Sequence, residues 1–126
     1  MINKILVIDC LSDYRLNVTG HLISEGYLVA TQKPEEYSGL GNVLPDLIML
    51  DANCEGRPTL DMAKRIVEDI AKSGKPISML VYSRAKNMVL AGAFQNEMAQ
   101  IPGKHDYMIK NYKNLDNIVE SVKAMG

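Results

Sequence analysis

Three runs in this chain are apolar at nearly every position, and each stops on a polar group. Lys4-Ile-Leu-Val-Ile closes on Asp9, Pro45-Asp-Leu-Ile-Met-Leu closes on Asp51, and Ile77-Ser-Met-Leu-Val-Tyr82 closes on Ser83. A strand with one wet face alternates apolar and polar residues. A continuous short run belongs to a strand covered on both faces, the situation of a parallel sheet. Tyr27-Leu-Val-Ala-Thr31 and Asp106-Tyr-Met-Ile109, which leads into Lys110, read as two further strands. Between the runs lie segments with helical spacing. Tyr14, Val18 and Leu22 follow Ser12, a natural N-cap, and end at Gly26. Leu60, Ala63, Val67 and Ile70 follow Thr59 and end at Gly74. Met88, Ala91, Gln95 and Met98 share a face across residues 86–100, and Leu115, Ile118, Val119 and Val122 mark a last helix. Residues 34–44 carry the weakest signal: Pro34 opens a short helix that Gly39 and Gly41 loosen. Five strand–helix units in series predict an α/β fold, a doubly wound five-stranded parallel sheet in a three-layer (βα)5 sandwich.

Composition removes several alternatives. The 126 residues carry a net charge of −1, and the expectation is one domain spanning residues 1–126. No apolar run approaches the ~18 residues of a membrane helix. Met1-Ile-Asn-Lys leads directly into the first strand, so no signal peptide is expected and the chain reads as cytoplasmic. No basic cluster marks a nucleic-acid surface. Two cysteines make neither a disulfide framework nor a metal-type Cys/His spacing.

In an open parallel sheet, ligands bind beyond the carboxyl ends of the strands. Four of the five strands here end in a functional group: Asp9, Asp51, Ser83 and Lys110. Two carboxylates, a hydroxyl and an ammonium suit phosphoryl chemistry. One carboxylate attacks, the other helps hold a hard cation such as Mg²⁺, and the lysine pairs with a phosphoryl oxygen.

These strand-end residues, their order and their spacing resemble a response regulator receiver domain of two-component signalling, over the whole chain. The resemblance implies the flavodoxin-like sheet order 2-1-3-4-5. It implies phosphorylation of Asp51 by a histidine kinase or phosphotransfer protein, with Ser83 and Lys110 contacting the phosphoryl group. It makes Ser83 and Tyr107 the switch pair, and it assigns Mg²⁺ to Asp9, Asp51 and the main-chain carbonyl of Asn53. The output surface would be the fourth helix, fifth strand and fifth helix, meeting a downstream protein or a second copy in a homodimer. Such a domain processes its own phosphoryl group and turns over no external substrate, so it is not an enzyme in the usual sense.

The sequence also departs from the receiver pattern. Cys10 stands where receivers carry a second acid, which replaces a hard oxygen with a sulfur that Mg²⁺ binds poorly. Asp13 and Glu55 sit on neighbouring loops as partial substitutes. Cys54-Glu55 replaces the usual Met-Pro pair, Asn111 replaces the proline after the lysine, and the stretch from Ser83 to Gly103 is longer than is typical. Cys10 underlies the alternative reading, a phosphorylation-independent pseudo-receiver that docks partners constitutively. Cys10 and Cys54 are both expected near the pocket, as inert fillers rather than a redox pair.

Overall fold

The apolar runs form the strands they predict. In the computed structural model, which describes residues 2–41, 44–83, 87–109 and 115–126, five parallel strands make one sheet. They are β1 (Lys4–Ile8), β2 (Leu28–Gln32), β3 (Leu47–Asp51), β4 (Ser78–Ser83) and β5 (His105–Ile109). Their order is β2-β1-β3-β4-β5, the doubly wound order that the receiver resemblance implied. Four helices flank the sheet: α1 (Ser12–Ser24), α2 (Leu60–Ser73), α3 (Met88–Met98) and α4 (Asp116–Met125).

Strand alternation sends successive side chains to opposite layers. Ile5, Val7, Leu47, Met49, Leu80 and Tyr82 face α1 and α4, where they meet Tyr14, Val18, Leu22, Ile118 and Val122. Leu6, Ile8, Ile48, Leu50, Met79 and Val81 face α2 and α3, where they meet Ile66, Ile70, Phe94 and Met98. Each fully buried aliphatic side chain contributes about 1.5–3 kcal/mol, which is why the three central strands tolerate almost no polar residue.

The amino ends of the strands are tied by one carboxylate. Asp46 Oδ2 accepts the amides of Asn3 and Lys4 at 2.8 and 2.9 Å, and Oδ1 pairs with Lys75 Nζ at 2.7 Å. Partial burial pulls this carboxyl upward. The Lys75 ammonium and the two amides outweigh that effect and hold its pKa at about 2. Beside this end, Gly103 lies so close to β4 that a Cβ would sit 2.3 Å from the Ile77 carbonyl oxygen.

Three local expectations are corrected. Residues 34–44 hold no α-helix among the described residues, only a single 3₁₀ turn at Pro34–Glu36. Gly39 and Gly41 sit at φ 122° and 73°, outside the helical region. Tyr37 covers part of the sheet instead, its hydroxyl donating to Asp69 at 2.6 Å. The buried stripe of α3 is Phe94 and Met98 with Leu90 packed beside them, whereas Met88 and Gln95 face solvent. Ser12 is inside α1 rather than its cap: Leu11 holds the N-cap position, and no side chain caps it.

Candidate functional site

The register of the sheet brings the strand-end residues together. Ile8 pairs with Leu50 and Asp51 pairs with Tyr82, so Asp9, Asp51 and Ser83 gather at one end of three adjacent strands. Asp9 and Asp51 are 0% and 1% exposed, and Ser83 is buried. Lys110 and Asn111 lie outside the described residues.

Asp9 is held on both carboxyl oxygens. Oδ1 accepts the Leu11 amide at 2.8 Å, and Oδ2 accepts the Tyr82 hydroxyl at 2.8 Å. Burial raises the Tyr82 hydroxyl pKa well above its ordinary value, and the Asp9 charge adds to this, so the phenol stays a donor. Arg15 Nη1 donates to the Asp9 main-chain carbonyl at 2.6 Å and fastens the first turn of α1 to the strand end.

Asp51 is enclosed differently. Its Oδ1 accepts the Asn53 amide at 3.2 Å. Its Oδ2 accepts both thiols, Cys10 Sγ at 3.6 Å and Cys54 Sγ at 3.7 Å. Burial pushes the pKa of each thiol up, and the negative field of Asp51 pushes the same way, so both remain protonated donors. The Thr59 hydroxyl donates to the Asp51 carbonyl at 2.5 Å rather than capping α2, and this seats the helix against the strand end.

Cys54 reaches Asp51 because of a feature the sequence did not announce. Asn53–Cys54 and Arg57–Pro58 form a two-stranded antiparallel hairpin. Its tip is Glu55-Gly56, at φ 53° and 76°, the left-handed pair of a two-residue hairpin turn. Gly56 was the readable signal; a glutamate in that conformation was not. The hairpin folds the loop back so that Cys54 and Cys10 share a pocket of about 390 Å³ with Ser12, Lys33, Glu35 and Glu55. Asp13 stays exposed in the first turn of α1.

Tyr107 lies on β5, half-buried, with its ring 6.0 Å from Phe94. Its hydroxyl is buried and has no hydrogen-bond partner among the described residues. Beside it, α3 and β5 border a groove of about 460 Å³ lined by Met88, Ala91, Gln95 and Ile109.

No protein-family model and no curated relative matches this chain. Solved structures do match. The chain superposes on the chemotaxis protein CheY4 of Vibrio cholerae with a TM-score of 0.80 at 17% identity, covering all of both chains. A response regulator receiver domain protein (CheY-like) of Methanospirillum hungatei gives 0.76 at 15% identity, covering 98% of this chain and 93% of that one. A two-component response regulator of Clostridium difficile gives 0.76 at 23% identity, covering 98% and 94%. The chain has the receiver-domain fold. Asp9, Asp51, Ser83 and the two thiols lie at the carboxyl end of its sheet. No helix among the described residues is long and apolar enough to cross a membrane.

The oxygens of Asp9, Asp51 and the Asn53 carbonyl fit a hard divalent cation such as Mg²⁺. Beside Asp51 the remaining donors are the sulfurs of Cys10 and Cys54, which Mg²⁺ binds poorly.

Proposed function

We propose that residues 1–126 act as one receiver-type signalling unit, phosphorylated on Asp51 by a histidine kinase or phosphotransfer protein. The observation that carries this reading is the position of Asp51. It ends the central strand beside Asp9 and Ser83, directly beneath the two thiols, Cys10 and Cys54, that line a surface pocket. An Asp51 carboxylate oxygen attacks phosphorus, the bond to the donor imidazole breaks, and an acyl phosphate forms. The two thiols on Oδ2 are weak donors and yield to an incoming phosphoryl group. Ser83 and Lys110 contact the phosphoryl oxygens. Asp9, Asp51 and the Asn53 carbonyl would hold Mg²⁺, which supplies charge neutralisation when bound.

In this reading Tyr107 is the relay. Its hydroxyl, without a partner among the described residues, and its seat on Phe94 leave it ready to change rotamer once Ser83 moves toward the phosphoryl group. The surface that reports the change is α3, β5 and α4, where Met88 is 71% and Val89 86% exposed. A downstream protein docks there. The domain works in the cytoplasm and turns over no external substrate.

A second reading is favoured by the closed state of the carboxylates. Asp9 gives both oxygens to Tyr82 and Leu11, and Asp51 is sealed under two thiols. A pseudo-receiver that docks partners without phosphorylation has no need to open them. An amide NMR titration with Mg²⁺ and then beryllofluoride, a phosphoryl mimic, separates the two. Shifts at Asp51, Ser83, Tyr107 and Lys110 that vanish in Asp51→Asn support the phosphoacceptor. Silence at saturating beryllofluoride and millimolar Mg²⁺ overturns it in favour of constitutive docking.

A further inference from the structure

Three ligand-type atoms converge at the wall of the pocket: Cys10 Sγ and Cys54 Sγ, which line it, and a buried Asp51 carboxylate oxygen behind them, all within 4.8 Å of one another. No other group of three His, Cys, Asp or Glu side chains comes this close among the described residues. Two sulfurs and one oxygen form a soft-to-borderline donor set, the kind that selects Zn²⁺ over Mg²⁺.

The edge lengths can be tested against a real coordination sphere. Zn–S bonds of about 2.3 Å and Zn–O bonds of about 2.1 Å at a tetrahedral angle place sulfur and oxygen roughly 3.6 Å apart. The observed Sγ–Oδ2 separations are 3.6 Å for Cys10 and 3.7 Å for Cys54. Two of the three edges are therefore already at tetrahedral length. The sulfur–sulfur edge needs about 3.8 Å by the same arithmetic, and the 4.8 Å limit leaves at most a small side-chain rotation to reach it. The backbone holds this arrangement from two sides. Cys10 follows β1, and Cys54 is carried by the short hairpin beyond β3. The pocket of about 390 Å³ gives an ion a route in, and on its lining the two carboxylates of Glu35 and Glu55 outnumber the one ammonium of Lys33.

We propose that Cys10, Cys54 and Asp51 form a Zn²⁺-type site, closed by two thiolates and one carboxylate, with the fourth position open to the pocket. Binding replaces the two S–H···O contacts by metal bonds and releases two thiol protons to solvent. An ion held this way occupies Asp51 Oδ2, so metal and phosphoryl group exclude each other. The site stands on the donor geometry alone and does not require that Asp51 be phosphorylated.

The test uses the full chain, kept reduced and stripped with a chelator, and titrated with Co²⁺ as the spectroscopic probe. The expected result is a thiolate-to-cobalt charge-transfer band with the strong visible bands of a tetrahedral site, saturating at one ion per chain and bleached by added Zn²⁺. Cys10→Ser and Cys54→Ser should each weaken Zn²⁺ binding at least ~10–100-fold, since even groups behind the ligands have effects of that size. The double variant, checked for folding by circular dichroism, should lose the band. No charge-transfer band, a weak octahedral spectrum, or undiminished Zn²⁺ affinity in the double variant would overturn the site. Silence of the unsubstituted, metal-stripped chain toward beryllofluoride and Mg²⁺, with the cobalt band present, would count against the phosphoacceptor reading and leave the metal site standing.

Discussion

Tyr82→Phe removes one oxygen from the middle of the protein. The ring keeps its place, because its packing against Tyr14 at 5.8 Å needs no hydroxyl. What disappears is the 2.8 Å bond to Asp9 Oδ2, between two residues that are both 0% exposed. Hydrogen bonds to charged or acidic groups contribute about 1.5–3 kcal/mol, and a buried acceptor left short of its donor forfeits that amount. For a chain of this length each kcal/mol moves the melting midpoint by roughly 3–5 °C, interpolating between smaller and larger domains. The variant should therefore melt about 5–15 °C lower, with its urea midpoint reduced by about 1 M at a typical slope. A double-mutant cycle with Asp9→Ala, which removes the acceptor altogether, measures the coupling between the two side chains. The coupling should fall in the ~0.5–3 kcal/mol range of interacting pairs. The same change loosens Asp9 Oδ2, so Mg²⁺ affinity should rise as stability falls. A neutral or stabilising Tyr82→Phe, or strictly additive variants, would mean that the phenol does not hold the acid, and the account of a locked Asp9 would fail.

Other expectations follow from the same geometry. Cys10→Asp restores a hard oxygen beside Asp51. It should lower metal-free stability through like-charge repulsion and raise Mg²⁺ affinity at least tenfold, read by thermal shift with and without the ion; an unchanged affinity would show that sulfur at this position is not the limitation. Gly103→Ala drives a methyl into the Ile77 carbonyl and should cost about 1–3 kcal/mol, whereas Gly20→Ala, with nothing within 4 Å on α1, should stabilise by about 0.5–1 kcal/mol. Chemical denaturation of both variants checks the contrast. The Asp46 carboxyl has a lower pKa folded than unfolded, so its contribution is complete above the ordinary 3.8 and disappears as pH falls toward about 2. Asp46→Asn should flatten the fall in urea midpoint across that window, and an equally steep fall would assign acid sensitivity to other groups.

The parts of the fold that were legible are those where burial is two-sided. β1, β3 and β4 are covered on both faces, so their sequence is apolar almost throughout, with Ser78 the exception inside the third run. The helix α3 misled because Met88-Val-Leu-Ala-Gly-Ala-Phe94 is apolar all round and offers no polar side to set its phase. At the site, the convergence of Asp9, Asp51 and Ser83 follows from strand ends alone. The approach of Cys10 to Cys54 follows from strand adjacency, although its closeness depends on a hairpin that only Gly56 hinted at. The Tyr82–Asp9 bond was out of reach. It joins β1 to β4 across the intervening β3, a relation no local pattern encodes.

The single 3₁₀ turn that stands in for a second helix has a consequence for how the molecule comes apart. β2 is an outer strand, and a groove of about 350 Å³ runs along it and β1 between Leu28, Val29 and Leu40. Leu28 is 64% exposed at its start, while the central strands β3 and β4 are sealed. Opening free energy tracks local burial, so the sheet is graded from edge to centre. Amides of β2 should exchange with solvent through small local openings, while those of β3 wait for global unfolding. The protein would then carry a thin margin along one side, able to peel without disturbing the end of the sheet where its chemistry is gathered.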